Sequence, residues 1–160
     1  MKAVSISTDG ACIGNPGPGG WAYILRLADL KKEMFGSEPK TTNNRMELTA
    51  VIEALKALKE PCRITLYIDS QYVKRGMTEW LSQWKARGWI RREKGRSATR
   101  EVMNQDLWTE LDRLIEPHQV SWAWVKGHAG HADNVRCDYL ARKAAREQIA
   151  SRPSTASATS

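Results

Sequence analysis

Long apolar runs are missing from this 160-residue chain, which excludes a helix able to span a bilayer. The opening residues "MKAVSIST" lack the apolar core of a secretory leader, so no export signal is expected. Cysteine is scarce. Cys12, Cys62 and Cys137 form an odd set without metal-type spacing, which argues against a disulfide framework and for a reducing compartment, the cytoplasm. No internal repeat is visible. The glycine-rich stretch "GNPGPGG" is not followed by the Lys-Ser/Thr pair of a phosphate-binding P-loop. Acidic residues are outnumbered, 18 against 25 lysines and arginines, for a formal net charge of +7. That balance says nothing about fold, but it favours a polyanionic partner such as nucleic acid.

The length suffices for one domain with its own core, expected over residues 1–150, with the small, polar tail 151–160, "SRPSTASATS", disordered. Alternation predicts strands over 4–8 and 21–27. Segment 33–37 completes a meander, with "ADLKKE" as the turn. A helix is expected over 41–59, with Thr42 or Asn43 as N-cap and Pro61 ending it. Further strands are expected over 63–69 and 119–125. Helices are expected over 70–76, 78–89, 104–116 and 134–149, with a basic loop over 90–102. Early strands followed by alternating helices and strands predict an α/β sheet that mixes a meander with parallel crossovers.

Parity then singles out carboxylates. In the first strand Val4 and Ile6 share one face, while Ser5, Ser7 and Asp9 share the other. In "RITLYID" the aliphatic face is Ile64, Leu66 and Ile68, and Asp69 lies opposite. Parallel pairing of these strands would bring the two aspartates together at a sheet end, where open α/β sheets tend to place their sites. On the first helix Leu48, Val51, Ile52, Leu55 and Leu58 form the apolar stripe and Glu47 borders it; on the last, Asp138 shares an arc with Ala141, Ala145 and Ile149. Each carboxylate also has an ordinary reading. Asp9 could be a turn residue, Asp69 a cap, Glu47 a first-turn acid, and Asp138 a partner for Arg142 four residues on. Four of them pointing inward from separate elements need a counter-charge, since two carboxylates about 4 Å apart repel by roughly 4 kcal/mol at an effective dielectric near 20. Hard oxygen donors favour Mg²⁺, with Mn²⁺ as a substitute, and a pair of such ions can clamp a phosphoryl transfer.

The segments "TDGACIGNPGPGG", "TTNNRMEL", "IDSQYV" and "WVKGHAGHADNVRCDYLA" resemble, in order, those of bacterial-type ribonuclease HI, over about residues 3 to 148. The resemblance implies a ribonuclease H-like fold: a mixed five-stranded sheet, an antiparallel meander plus parallel strands, with helices on both faces. It implies an endonuclease that cuts the RNA strand of RNA–DNA hybrids by a two-metal-ion mechanism, leaving 5′-phosphate and 3′-hydroxyl ends. Its acidic ligands fall on Asp9, Glu47, Asp69 and Asp138, and its catalytic-loop histidine on His128. An H-x-x-H with His131, near Cys137, leaves zinc conceivable, but the spacing fits no common structural site.

The same carry-over places Asn15, Asn43, Asn44 and Gln71 on the RNA backbone and its 2′-hydroxyls, and Lys40, Thr42 and Asn104 on a DNA phosphate. The family often has Arg where Lys40 stands, so bidentate geometry is lost there. Met103 occupies a position where a basic residue is common, and the loop before it is longer than in the best-known pattern. The stretch 79–100 resembles the family's basic protrusion, with Trp80 and Trp84 lining a channel for DNA sugars and Arg91 and Arg92 among its cations. A hybrid partner, a monomer, no membrane and no obligate protein partner are expected. The alternative is a non-catalytic module binding hybrid or duplex on the same fold.

Overall fold

Alternating apolar side chains build the centre of the molecule. The computed structural model describes residues 1–92, 99–126 and 131–150, without the side chains of 90–92 and 99–101. The meander comes first, as β1 (Lys2–Cys12), β2 (Gly17–Leu27) and β3 (Leu30–Thr41), followed by α1 (Asn43–Lys56) and β4 (Cys62–Ile68). Next, α2 (Gln71–Arg75) runs through a π-helical turn at Gly76–Trp80 into α3 (Leu81–Ala86). Two short strands, β5 (Ile90–Arg92) and β6 (Thr99–Glu101), precede α4 (Gln105–Ile115), β7 (Gln119–Trp124) and α5 (Ala132–Ala150). The five-stranded sheet has the order β3-β2-β1-β4-β7. β1 pairs antiparallel with β2 and parallel with β4, which pairs parallel with β7. Among the described residues no helix is long and apolar enough to cross a membrane.

The two faces of the sheet carry different helices, as parity requires. Val4, Ile6, Tyr23, Leu25, Ile64 and Leu66 pack against α1 and α4 through Leu48, Val51, Leu55, Trp108 and Leu111. Ala22 and Ile24 face α5 through Cys137, Leu140 and Ala141. Each fully buried aliphatic side chain contributes about 1.5–3 kcal/mol. Thr42 caps α1, its Oγ1 accepting the Arg45 N–H at 3.2 Å.

Several boundaries differ from the sequence expectation. The β2–β3 turn is only Ala28 and Asp29, because Leu30 already pairs with Leu27 and Lys32 with Leu25. This exposed edge strand has no buried face to reveal its period. Helix α1 stops at Lys56, before Pro61, where Ala57 and Leu58 tighten the last turn by donating to carbonyls three residues back. Ile149 is 46% exposed rather than part of the buried arc of α5. The tail 151–160 lies outside the described residues.

β1 also runs on past Asp9 to Cys12, so Asp9 lies within the strand, opposite Ala22. The residues that follow are small for a physical reason. A Cβ on Gly10 would lie 2.4 Å from the backbone nitrogen of Glu47 and the carbonyl carbon of Met46. The first turns of α1 therefore ride directly on the backbone of β1. We predict that Gly10→Ala pushes α1 away from the sheet and costs about 1–3 kcal/mol, read as a lower urea midpoint. An unchanged midpoint would contradict the contact.

Candidate active site

Strand register assembles the first half of the site. Ser7 of β1 is aligned with Tyr67 of β4, so two residues further along, Asp9 and Asp69 emerge side by side. Packing over Gly10 brings the third carboxylate, Glu47, down onto them. One side-chain oxygen from each of Asp9, Glu47 and Asp69 lies within 4.8 Å of the others. Asp9 and Glu47 are only 4% and 8% exposed, and Asp69 is half-buried.

This crowding is electrostatically costly. The Asp9 carboxyl is pushed up to about 8, first by burial, then by the charge of Asp69 and the hydrogen bond its protonated form gives to the Asp138 carboxylate, with the Gly10 N–H acting the other way. That N–H donates to Asp9 Oδ1 at 2.9 Å. Glu47 is held well above the ordinary carboxylate range by burial and then by the charges of Asp9 and Asp69. Buried carboxylates normally escape such an arrangement by binding a proton or a cation. Three hard oxygen donors with excess negative charge fit a magnesium or manganese ion.

Asp138 stands apart from this triplet but touches it through the hydrogen bond to Asp9. It also accepts from Arg142 Nε at 3.0 Å, so the helical pair foreseen as an alternative exists as well. α5 comes close because Gly20 has no side chain: a Cβ there would lie 2.1 Å from the Ala141 carbonyl oxygen, one turn from Asp138. His128 lies outside the described residues. The zinc option finds no support in the remaining donors. Cys137 is buried and donates its thiol to the Ser7 carbonyl at 3.3 Å, while the His131 ring packs on Tyr67 at 4.5 Å.

The candidate substrate contacts are spread over several elements. Asn15 Oδ1 accepts the Asn43 N–H at 3.0 Å, tying the Gly/Pro loop to the start of α1. Asn43 and Asp138 border one cleft of about 380 Å³ with Cys12, Ile13, Arg142 and Arg146. Asn44 is half-buried on the first turn of α1, and Gln71 is exposed at the start of α2, after the Ser70 cap. Lys40 is exposed at the end of β3. Thr42 and Asn104, far apart in the chain, are both bonded to Arg45. Trp80 and Trp84 lie with ring centroids 5.7 Å apart and border a groove of about 350 Å³ with Tyr72, Arg87 and Met103. Both are half-buried; the fully buried indole is Trp108, which packs on Tyr72 and Trp84.

Sequence reasoning missed Gly10, Arg45 and Tyr72. Gly10 was readable only as part of a turn. The ties from Arg45 and Tyr72 to α4 span 59 and 32 residues, and no local pattern announces them.

Comparison with known proteins shows the family to which the chain belongs. The sequence model of the RNase H family matches residues 1–146. A protein named Ribonuclease H from Solibacter usitatus is 56% identical over 148 residues, covering 92% of this chain and 98% of that protein. The crystal structure of LC9-RNase H1, a type 1 RNase H with the type 2 active-site motif, is 36% identical with a TM-score of 0.79, over 98% of this chain and 84% of that one. LC11-RNase H1, solved in complex with RNA/DNA hybrid, shares the fold at 19% identity and a TM-score of 0.65, over 91% of this chain and 99% of that one.

The raised carboxyls set a pH dependence. With Asp9 near 8 in the folded state and about 3.8 unfolded, the folded chain holds a proton that the unfolded chain has lost. Stability without metal therefore falls as pH rises through that window. We predict that in chelator the melting temperature is higher at pH 5 than at pH 8, and that Mg²⁺ raises it at pH 8. Asp9→Asn should remove most of both effects. A flat profile for the wild type in chelator would mean that the carboxylates do not repel one another as their placement implies.

Proposed function

This chain belongs to the RNase H family, and we propose that it hydrolyses the RNA strand of RNA–DNA hybrids, leaving 5′-phosphate and 3′-hydroxyl ends. The observation that carries this reading is the meeting of Asp9, Glu47 and Asp69 within 4.8 Å, beside a cleft bordered by Asn43 and two arginines. A module that only bound nucleic acid would gain nothing from buried carboxylates facing phosphates.

Asp9, Glu47 and Asp69 would hold a divalent ion, and Asp138, bonded to Asp9, would contribute to holding a second. When bound, magnesium supplies the positive charge that an in-line displacement at phosphorus requires. The chain's own residues do the rest. The carboxylates, fixed by β1, β4 and α1, leave little freedom to reorganise as charge develops. A water oxygen bonds to phosphorus, the bond to the 3′-oxygen breaks, and that oxygen leaves as a hydroxyl. His128, from the glycine-rich loop, is proposed as the proton carrier that assists water activation or product departure.

Selection of the RNA strand is assigned to Asn15, Asn43, Asn44 and Gln71. An amide both donates and accepts, as a 2′-hydroxyl does. Lys40, Thr42 and Asn104 are assigned to a phosphate of the DNA strand, and Trp80 and Trp84 to its sugars. The chain is proposed to act as a monomer in the cytoplasm, on Mg²⁺ or Mn²⁺.

We predict that Asp69→Asn lowers turnover on labelled hybrid at least roughly 100-fold, since loss of even an outer partner of a metal site costs up to that much. Chelation should abolish cleavage, and added Mg²⁺ should restore it. If Asp69→Asn cuts as fast as wild type, or hybrid and all-DNA duplex are cut alike, the proposal fails.

A further inference from the structure

Asn104 opens α4 in a left-handed conformation, φ 60 and ψ 29, yet its side chain makes no capping bond to that helix. Asparagine at a helix start ordinarily turns its side-chain oxygen onto the first backbone N–H groups. Here the amide is committed elsewhere. Its Oδ1 accepts from Arg45 Nη1 at 3.3 Å, and its Nδ2 donates to the Tyr72 hydroxyl at 3.0 Å. The same hydroxyl accepts from Trp108 Nε1 at 2.9 Å. Arg45 in turn grips Asp106 with two bonds, 3.0 and 2.8 Å long. Its backbone N–H donates to Thr42 Oγ1.

The chemistry of these groups fixes a direction. A guanidinium carries donors only, and so does an indole N–H. The amide oxygen of Asn104 must therefore face Arg45, and its nitrogen must face the Tyr72 oxygen, which Trp108 already holds as an acceptor. The reverse flip would set donors against donors at Arg45. With one amide hydrogen used on Tyr72, the second remains to donate among the described residues. The Thr42 oxygen accepts from Arg45, so its hydroxyl hydrogen is likewise left to donate.

We infer that Arg45 and Tyr72 are positioning residues that lock the Asn104 amide, so that its second N–H, with the Thr42 hydroxyl and Lys40, meets a backbone phosphate of the hybrid. A phosphate oxygen accepts and cannot donate, so the flipped amide would present a carbonyl oxygen and repel it. The network also explains how lysine serves at position 40. Directional bonding comes from two locked neutral donors, and the ammonium supplies charge alone. The assignment rests on the proposed hybrid binding.

The test is a double-mutant cycle with two readouts, KM for hybrid cleavage and the dissociation constant for labelled hybrid by fluorescence anisotropy in an Asp69→Asn background. Tyr72→Phe deletes one oxygen and keeps the ring. Arg45→Lys keeps the charge but cannot reach Asp106 twice and Asn104 once. Each should raise KM and the dissociation constant roughly three- to tenfold, the effect of losing one oriented hydrogen bond, with turnover at saturation unchanged. In an Asn104→Ala background neither should raise them further. The assignment is overturned if Tyr72→Phe leaves both constants unchanged, or if the factors multiply with that of Asn104→Ala. It is also overturned if the variants only lower the melting temperature. A wild-type chain that binds hybrid without cutting it sinks the proposed function alone, and the binding cycle still decides the network. Absence of binding overturns both.

Discussion

The repulsion among Asp9, Glu47 and Asp69 is the constraint around which the rest of the molecule is arranged. Left to itself, such a group of buried carboxylates would separate, protonate or drag its elements apart. It stays together because each member hangs from a different rigid element whose position is set by apolar packing elsewhere. Asp9 lies within β1 and Asp69 directly follows β4, its parallel neighbour. Glu47 belongs to a helix whose backbone presses on Gly10. The core beneath α1, from Leu48 to Leu55, supplies the free energy that holds the charges close. On the proposed reading, a divalent cation would bind where folding has already brought its ligands together.

The second face contributes by approach rather than by bulk. α5 lies against β2 through small residues, and this brings Asp138 alongside Asp9. The ion pairs that flank α5, Arg26 with Asp133 and Arg136 with Glu33, lie at the surface and add little to stability. They pin the helix on the side opposite the cleft. The run of helix from α2 through the π-helical turn to α3 sets Tyr72, Trp80 and Trp84 around the buried Trp108.

Much of this was legible in the sequence. Strand parity placed Asp9 and Asp69 on matching faces, the helical stripe placed Glu47 at its border, and the Thr42 cap was readable. The features that remained hidden share a cause. β3 is exposed, so no apolar alternation marked its true start at Leu30. The end of α1 is set by a tightened last turn rather than by Pro61. Gly10 reads as a loop glycine until the helix above it is known. Arg45, Asn104 and Tyr72 converge from three helices, and such convergence is a property of tertiary packing that no local period encodes. Ile149 falls on the same arc of α5 as Ala141 and Ala145 but is exposed where they are buried.

Helix α1 carries Thr42 at its cap, Arg45 in its first turn and Glu47 only two residues later. A helix rises about 1.5 Å per residue and scarcely bends over so short a span. On the proposed reading, the grip on one strand and the scission of the other are therefore mounted on a single stiff gauge. Such a gauge would seat both strands only of a duplex whose minor groove has the matching breadth. B-form DNA, with a minor groove roughly 6 Å wide, and the wide, shallow groove of A-form RNA present different spans to the same calliper. On that reading, mismatched width would work alongside the amide contacts to the 2′-hydroxyls in rejecting the wrong duplex, before any bond is broken.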